Sequence, residues 1–242
     1  MNGQHSARVK SLATVVLGSC MFIFVFVVIN LAVKALFGQA MASSLRARTT
    51  IELAGAMVSE IIVLILLLLY LSRRGVRLRQ MGLWAPSPAR GWIAAGAMAV
   101  LFIWFNLALP LRDQRNLAEL SLFHIYNSLV AGVTAGFVEE IFFRGFFMTE
   151  LGWAGFGTTA QVAISSTLYG LVHSAWGITS GMFTFQMVGG AVIGTAILGA
   201  FCSMVYLISR RSLMPVVAGH AVIDFVIEPW LFMVAITMSQ AR

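Results

Sequence analysis

The chain has 242 residues, 60% of them hydrophobic and only 10% charged, with a mean hydropathy of +0.90. A water-soluble domain of this length cannot hide so much apolar area, so a soluble fold is excluded and an integral membrane protein is expected. The formal charge of +7 would suit nucleic acid, but the basic residues lie in short runs between apolar segments, where membrane topology places them. No nucleic-acid partner is expected; the first partner is the lipid bilayer.

Apolar runs close to the ~20 residues that cross a bilayer divide the chain into about seven spans, eight if a further piece re-enters the membrane. The first covers residues 12–37 and follows Arg8 and Lys10. It is too long for a signal-peptide core and is expected to stay as a membrane helix. A polar connector at 43–50 carries Arg46 and Arg48, and the second span, 51–71, carries Glu52 and Glu60. The most basic loop follows at 72–90, with Arg73, Arg74, Arg77, Arg79 and Arg90; Trp84 and Pro86 within it suit an interfacial anchor and a turn. The third span is 91–109, and a polar stretch at 111–121 leads to the fourth, 122–150. Gly152, Gly155 and Gly157 mark a turn before the fifth span at 159–174, the sixth at 182–209 and the seventh at 213–238.

With seven spans, nine Lys and Arg fall on the side of the N-terminus and six on the other. That excess predicts a cytoplasmic N-terminus. The chain has no internal repeat and no separate soluble domain. It is expected to form a single membrane domain over 1–242, with three N-terminal helices and their loops in 1–121 and a catalytic core in 122–238. Cys20 and Cys202 both fall in apolar runs and are expected to pack as small hydrophobes.

Three sets of polar groups stand at helical spacing in the second half. Glu139 and Glu140 sit side by side in a long apolar run, with Arg144 four residues beyond Glu140. A charged group deep in a bilayer costs roughly 2.5–3.5 kcal/mol on insertion scales, so three together need a structural or chemical reason. Glu140 and Arg144 share a helix face and can pair. Glu139 lies ~100° around the helix and is left available. The second set is Tyr169 and His173, and the third is His220 and Asp224, each four residues apart.

Membrane helices keep such groups away from lipid, so the three sets are expected to converge inside the bundle. A free carboxylate beside an imidazole can activate a water. A second His with an acidic neighbour can stabilise an oxyanion. Two His with carboxylates could equally ligate zinc. Each set also has a structural reading: Glu140–Arg144 as an intrahelical pair, His173 and His220 as interhelical hydrogen-bonders. Glu52, Glu60 and Glu228 are expected near span ends, solvated, while His5 and His124 are expected at the surface. The joint occurrence of all three sets is what the structural readings leave unexplained.

Glu-Glu-x-x-x-Arg, then aromatic-x-x-x-His, then His-x-x-x-Asp resembles the motif set of the CAAX protease and bacteriocin-processing (Abi) family, which includes the Ras-converting-type CAAX prenyl endopeptidases. The resemblance covers roughly residues 129–230. It implies an all-α, polytopic membrane helix bundle acting as an intramembrane endopeptidase on a peptide or membrane-tethered protein. By position it implies that Glu139 activates the water with His173, that Glu140 and Arg144 support it, and that His220 and Asp224 build the oxyanion site. Tyr169 stands where the family usually has Phe, and its ring can pack the same way. Asp224 stands where Asn is common in CAAX-processing members. If zinc takes part, its ligands are expected to be Glu139, His173, His220 and Asp224. With no HExxH and no Cys near the motifs, the metal-free mechanism is favoured and no cofactor is expected. A catalytically silent immunity or scaffold protein is the alternative, and a small proton-coupled transporter a more distant one.

Overall fold

A computed structural model describes residues 2–107, 122–180 and 185–240, which form helices joined by short turns. The expected polar stretch 111–121 lies outside the described residues. The helices are α1 (Asn2–Ser43), α2 (Leu45–Arg73), α3 (Ala89–Leu107), α4 (Leu122–Glu140), α5 (Met148–Trp153), α6 (Thr158–Val172), α7 (Ser174–Ser180), α8 (Phe185–Ile208) and α9 (Leu213–Gln240), with a 3-10 turn at Leu78–Met81. The fold is an all-α bundle. Among the described residues four helices are long and apolar enough to cross a membrane, within Gly3–Ser43, Thr50–Arg73, Ala89–Asn106 and Val188–Ile208.

The fourth expected span is not one regular helix. Between α4 and α5 the backbone winds as a π-helix over Ile141–Phe147. Such segments widen the turn and re-aim side chains, and they recur at functional sites. Here the π-helix starts directly after the acidic pair and carries Arg144. Its other residues form the densest part of the core: Phe142, Phe143, Phe146 and Phe147 are buried and stack edge-on or tilted, with neighbouring ring centroids 4.8–6.1 Å apart. Phe22 of α1 and Tyr70 of α2 close the cluster from the side. Edge-to-face aromatic packing adds ~0.5–1.5 kcal/mol per pair beyond area burial, which suits a segment that has given up regular α-helical bonding.

Helix α9 lies against α4 and α3, α6 lies against α8, and α1 lies against α2. Close approach of α4 to α9 depends on Gly136, where a Cβ would come within 3.0 Å of the Ala221 amide nitrogen. One end of the bundle gathers most of the basic residues. Arg8 donates to the Gly155 carbonyl at 2.8 Å, Arg74 pairs with Glu150 at 2.7 Å, and Arg90 donates to the Ile208 carbonyl at 3.2 Å. Arg211 reaches Gln161 at 2.5 Å at the same end. Trp84 is exposed there, as an interfacial anchor would be. At the other end Lys34 donates to the Thr179 carbonyl, and Arg48 pairs with Glu52 at 3.1 Å.

Candidate active site

The site is assembled from three stretches that are distant in sequence: the end of α4 with the π-helix that follows it, the end of α6, and α9. Glu139 and Glu140 end α4, Arg144 follows in the π-helix, Tyr169 lies near the end of α6 with His173 just past it, and His220 and Asp224 lie one turn apart on α9. Glu139, Glu140, Arg144, His173, His220 and Asp224, the six residues expected from the sequence, come together, and Tyr169 joins them as a seventh.

Glu140 and Arg144 are both fully buried and pair at 2.9 Å. Arg144 also donates to the Gly199 carbonyl at 2.9 Å and lies over the Tyr169 ring, 4.5 Å from its centroid. Gly199 is required for this: a Cβ there would sit 2.8 Å from the Tyr169 ring and 3.3 Å from the guanidinium. The same Glu140 oxygen takes Nδ1 of His220 at 2.8 Å. A carboxylate accepts only, so Nδ1 carries the proton and Nε2 faces the site. Nε2 is 3.3 Å from Asp224 Oδ2, 3.3 Å from the Tyr169 hydroxyl and 3.9 Å from Glu139 Oε2.

Within this cluster, and among the described residues, Glu139 has no cationic partner at hydrogen-bond distance. The Tyr169 hydroxyl donates to its Oε2 at 2.8 Å, while His173 Nε2 stands 3.9 Å from its Oε1. His173 Nδ1 lies 2.8 Å from the Tyr169 backbone carbonyl, another pure acceptor, so in the neutral ring the lone pair sits on Nε2 and points toward Glu139. The side chains of Glu139, Asp224 and His173 are 10%, 17% and 25% exposed, so the otherwise buried cluster opens on this side.

Three expectations are corrected by the packing. Glu60 is not a solvated end group: it lies midway along α2, is buried, and stands within Coulombic range of Glu139, Asp224 and Glu228. Glu228 likewise keeps a buried, unpartnered carboxyl oxygen. Neither stands at a span end, because α2 continues to Arg73 and α9 to Gln240. The third concerns Cys202, which is distant in sequence from the motifs but enters the site from α8. Its Sγ, a Glu140 oxygen and a His220 nitrogen all lie within 4.8 Å of one another. Tyr169 packs its ring against Phe143 as expected, but its hydroxyl, which Phe lacks, also ties Glu139 toward His220. Two expected surface groups differ in what the structure describes: His5 is exposed, while the His124 side chain falls outside the described residues.

The donor types of Glu140, Cys202 and His220 are ones zinc accepts, and this buried group could hold a metal, although Arg144 already stands on the same carboxylate. The zinc ligands expected from the sequence, Glu139, His173, His220 and Asp224, do not gather in the same way: His173 and His220 stand 3.9 Å from different oxygens of Glu139.

The fold is thus a polytopic helical bundle around a buried carboxylate–imidazole centre that is partly open on one side. Residues 119–226 match the family model Type II CAAX prenyl endopeptidase Rce1-like, in line with the resemblance carried by the three motifs. No curated protein and no solved structure matches the chain.

Proposed function

We propose that the protein is an intramembrane endopeptidase in which Glu139 activates a water. The observation that carries this reading is the pair Glu139 Oε1 and His173 Nε2, two acceptors 3.9 Å apart at the open side of the site. That separation is too long for a direct hydrogen bond and suits a bridging water. A water between them donates one hydrogen to each and keeps a lone pair for attack. Its oxygen adds to the scissile carbonyl carbon, and Glu139 takes the proton. The carbonyl oxygen becomes an oxyanion, which Nε2–H of protonated His220 stabilises, with Asp224 holding that proton in place. Collapse breaks the C–N bond, and the proton held by Glu139 passes to the leaving nitrogen. Glu140 and Arg144 touch no reacting atom; they hold His220 and the π-helix in register.

The substrate is a peptide or membrane-tethered protein, consistent with the family and with a site walled by membrane helices. The catalytic core is residues 122–238, buttressed by the helices of 1–121, and the basic end, with the N-terminus, faces the cytoplasm. The test is cleavage of a membrane-tethered peptide library by the purified protein in liposomes, compared with Glu139→Gln. Cleavage by the wild type alone is expected; equal cleavage by the variant would reject Glu139 as the base.

A further inference from the structure

The loop between α2 and α3 takes no part in the mechanism above. It joins two helices long and apolar enough to cross a membrane, one ending at Arg73 and the next beginning at Ala89. A short loop between two such spans stands at the level of the lipid headgroups. Trp84 in the loop and Trp92 just after it are 66% and 48% exposed and suit that level.

The loop is held in one shape by the turn between α8 and α9. The Tyr206 hydroxyl donates to the Met81 carbonyl at 2.9 Å and the Ser212 hydroxyl to the Ala85 carbonyl at 2.7 Å. The Leu213 amide donates to the Gly82 carbonyl at 3.1 Å. Gly82 permits this approach, because its φ is +95° and a Cβ there would collide with the Arg211 carbonyl oxygen.

On this fixed loop Gly75, Arg77, Arg79 and Gln80 line a cleft of about 430 Å³. The two arginines are exposed, and among the described residues no carboxylate stands at ion-pair distance from either. Glu150, at the same end of the bundle, is taken by Arg74. Oε1 of Gln80 accepts the Arg77 amide at 2.7 Å, which leaves its Nε2 as a donor. Gly75 adds no side chain to fill the space, and a Cβ there would meet nothing within 4 Å. The cleft therefore offers two unanswered guanidiniums and an amide donor, with no negative charge of its own.

We infer that this cleft binds the headgroup of an anionic phospholipid. Guanidinium forks match the oxygens of a phosphodiester, and two of them favour a headgroup with net negative charge. A zwitterionic headgroup carries an ammonium into the same field and is the poorer ligand. Leu69 of α2 and Ile93 of α3 are exposed on the flanking helices, where the acyl chains would lie. This site needs the membrane setting alone and stands apart from the endopeptidase reading.

The test is native mass spectrometry of the full chain released from a neutral detergent, titrated with phosphatidylglycerol and, separately, phosphatidylcholine. The wild type is expected to take one phosphatidylglycerol at least about tenfold more tightly than phosphatidylcholine. Arg77→Gln with Arg79→Gln should erase that preference. Lys10→Gln with Arg210→Gln removes the same charge from exposed positions outside the cleft and should leave it intact. Equal binding of the two lipids by the wild type overturns the proposal, whether or not any variant folds. A preference that survives in the first pair, or that falls equally in both pairs, overturns it as well, since the charge then acts diffusely. Inorganic phosphate, titrated calorimetrically in the same detergent, should bind far more weakly than phosphatidylglycerol; equal affinity would make the ligand a soluble anion and reject the lipid.

Discussion

Nδ1 of His220 and Nη1 of Arg144 meet on one oxygen of Glu140, at 2.8 and 2.9 Å. One buried carboxylate thus ties α9 to the end of α4 and to the π-helix, across eighty residues of chain. Glu140 is thereby occupied, which leaves its neighbour Glu139 to face the open side.

The exchange Glu139→Gln keeps the shape of the side chain and removes its basicity. Cleavage in liposomes should fall by at least about 10²-fold, the scale of general-base catalysis, while the melting temperature in detergent stays near that of the wild type. An active variant would move the base elsewhere.

Removing the guanidinium with Arg144→Ala strands Glu140 in the core and frees the Gly199 carbonyl. Losing one partner of a buried pair costs about 3–5 kcal/mol, so both expression yield and thermal stability should drop together with activity. Arg144→Lys should rescue only part of the stability, because an ammonium cannot keep the forked contact with both Glu140 and Gly199. Wild-type stability in the alanine variant would contradict the buried pairing.

The Tyr169 hydroxyl is open to a subtler exchange. Tyr169→Phe retains the ring packing against Phe143 and Arg144 but loses the bond to Glu139. About 1 kcal/mol of stability should be lost by chemical denaturation, and activity should persist, since the family usually carries Phe here. Complete inactivity would mean that the hydroxyl takes part in the reaction.

Asp224 and Cys202 together decide the metal question. Asp224→Asn should retain substantial activity, because an amide oxygen can still hold His220 Nε2–H. Cys202→Ser should leave activity unchanged, and elemental analysis of the wild type should find well under one zinc per chain. Stoichiometric zinc that is lost with activity in either variant would place a metal at the site; an amide or hydroxyl is a poorer zinc ligand than a carboxylate or thiolate.

The sequence by itself determined the membrane class, the all-α architecture and the six polar residues that the fold brings together. Each of these rests on local chemistry: apolar runs of bilayer length, and charges too costly to leave among lipids unless they meet. The pairing of Glu140 with Arg144 was legible for the same reason, since both lie on one short stretch. The partners that arrive from other helices were not. Glu60 sits in the apolar run of α2 with no sequence signal to distinguish a solvated end from a buried centre, and only the packing of α2 into the bundle, against α1 and α4, buries it. Cys202 enters because Gly199 lets α8 approach Tyr169 and Arg144. The π-helix after Glu140 escaped as well, because its residues carry an ordinary helical pattern and widen only where the Phe cluster and Arg144 find their contacts. Local pattern sets which groups must be buried; tertiary packing sets which of them face one another.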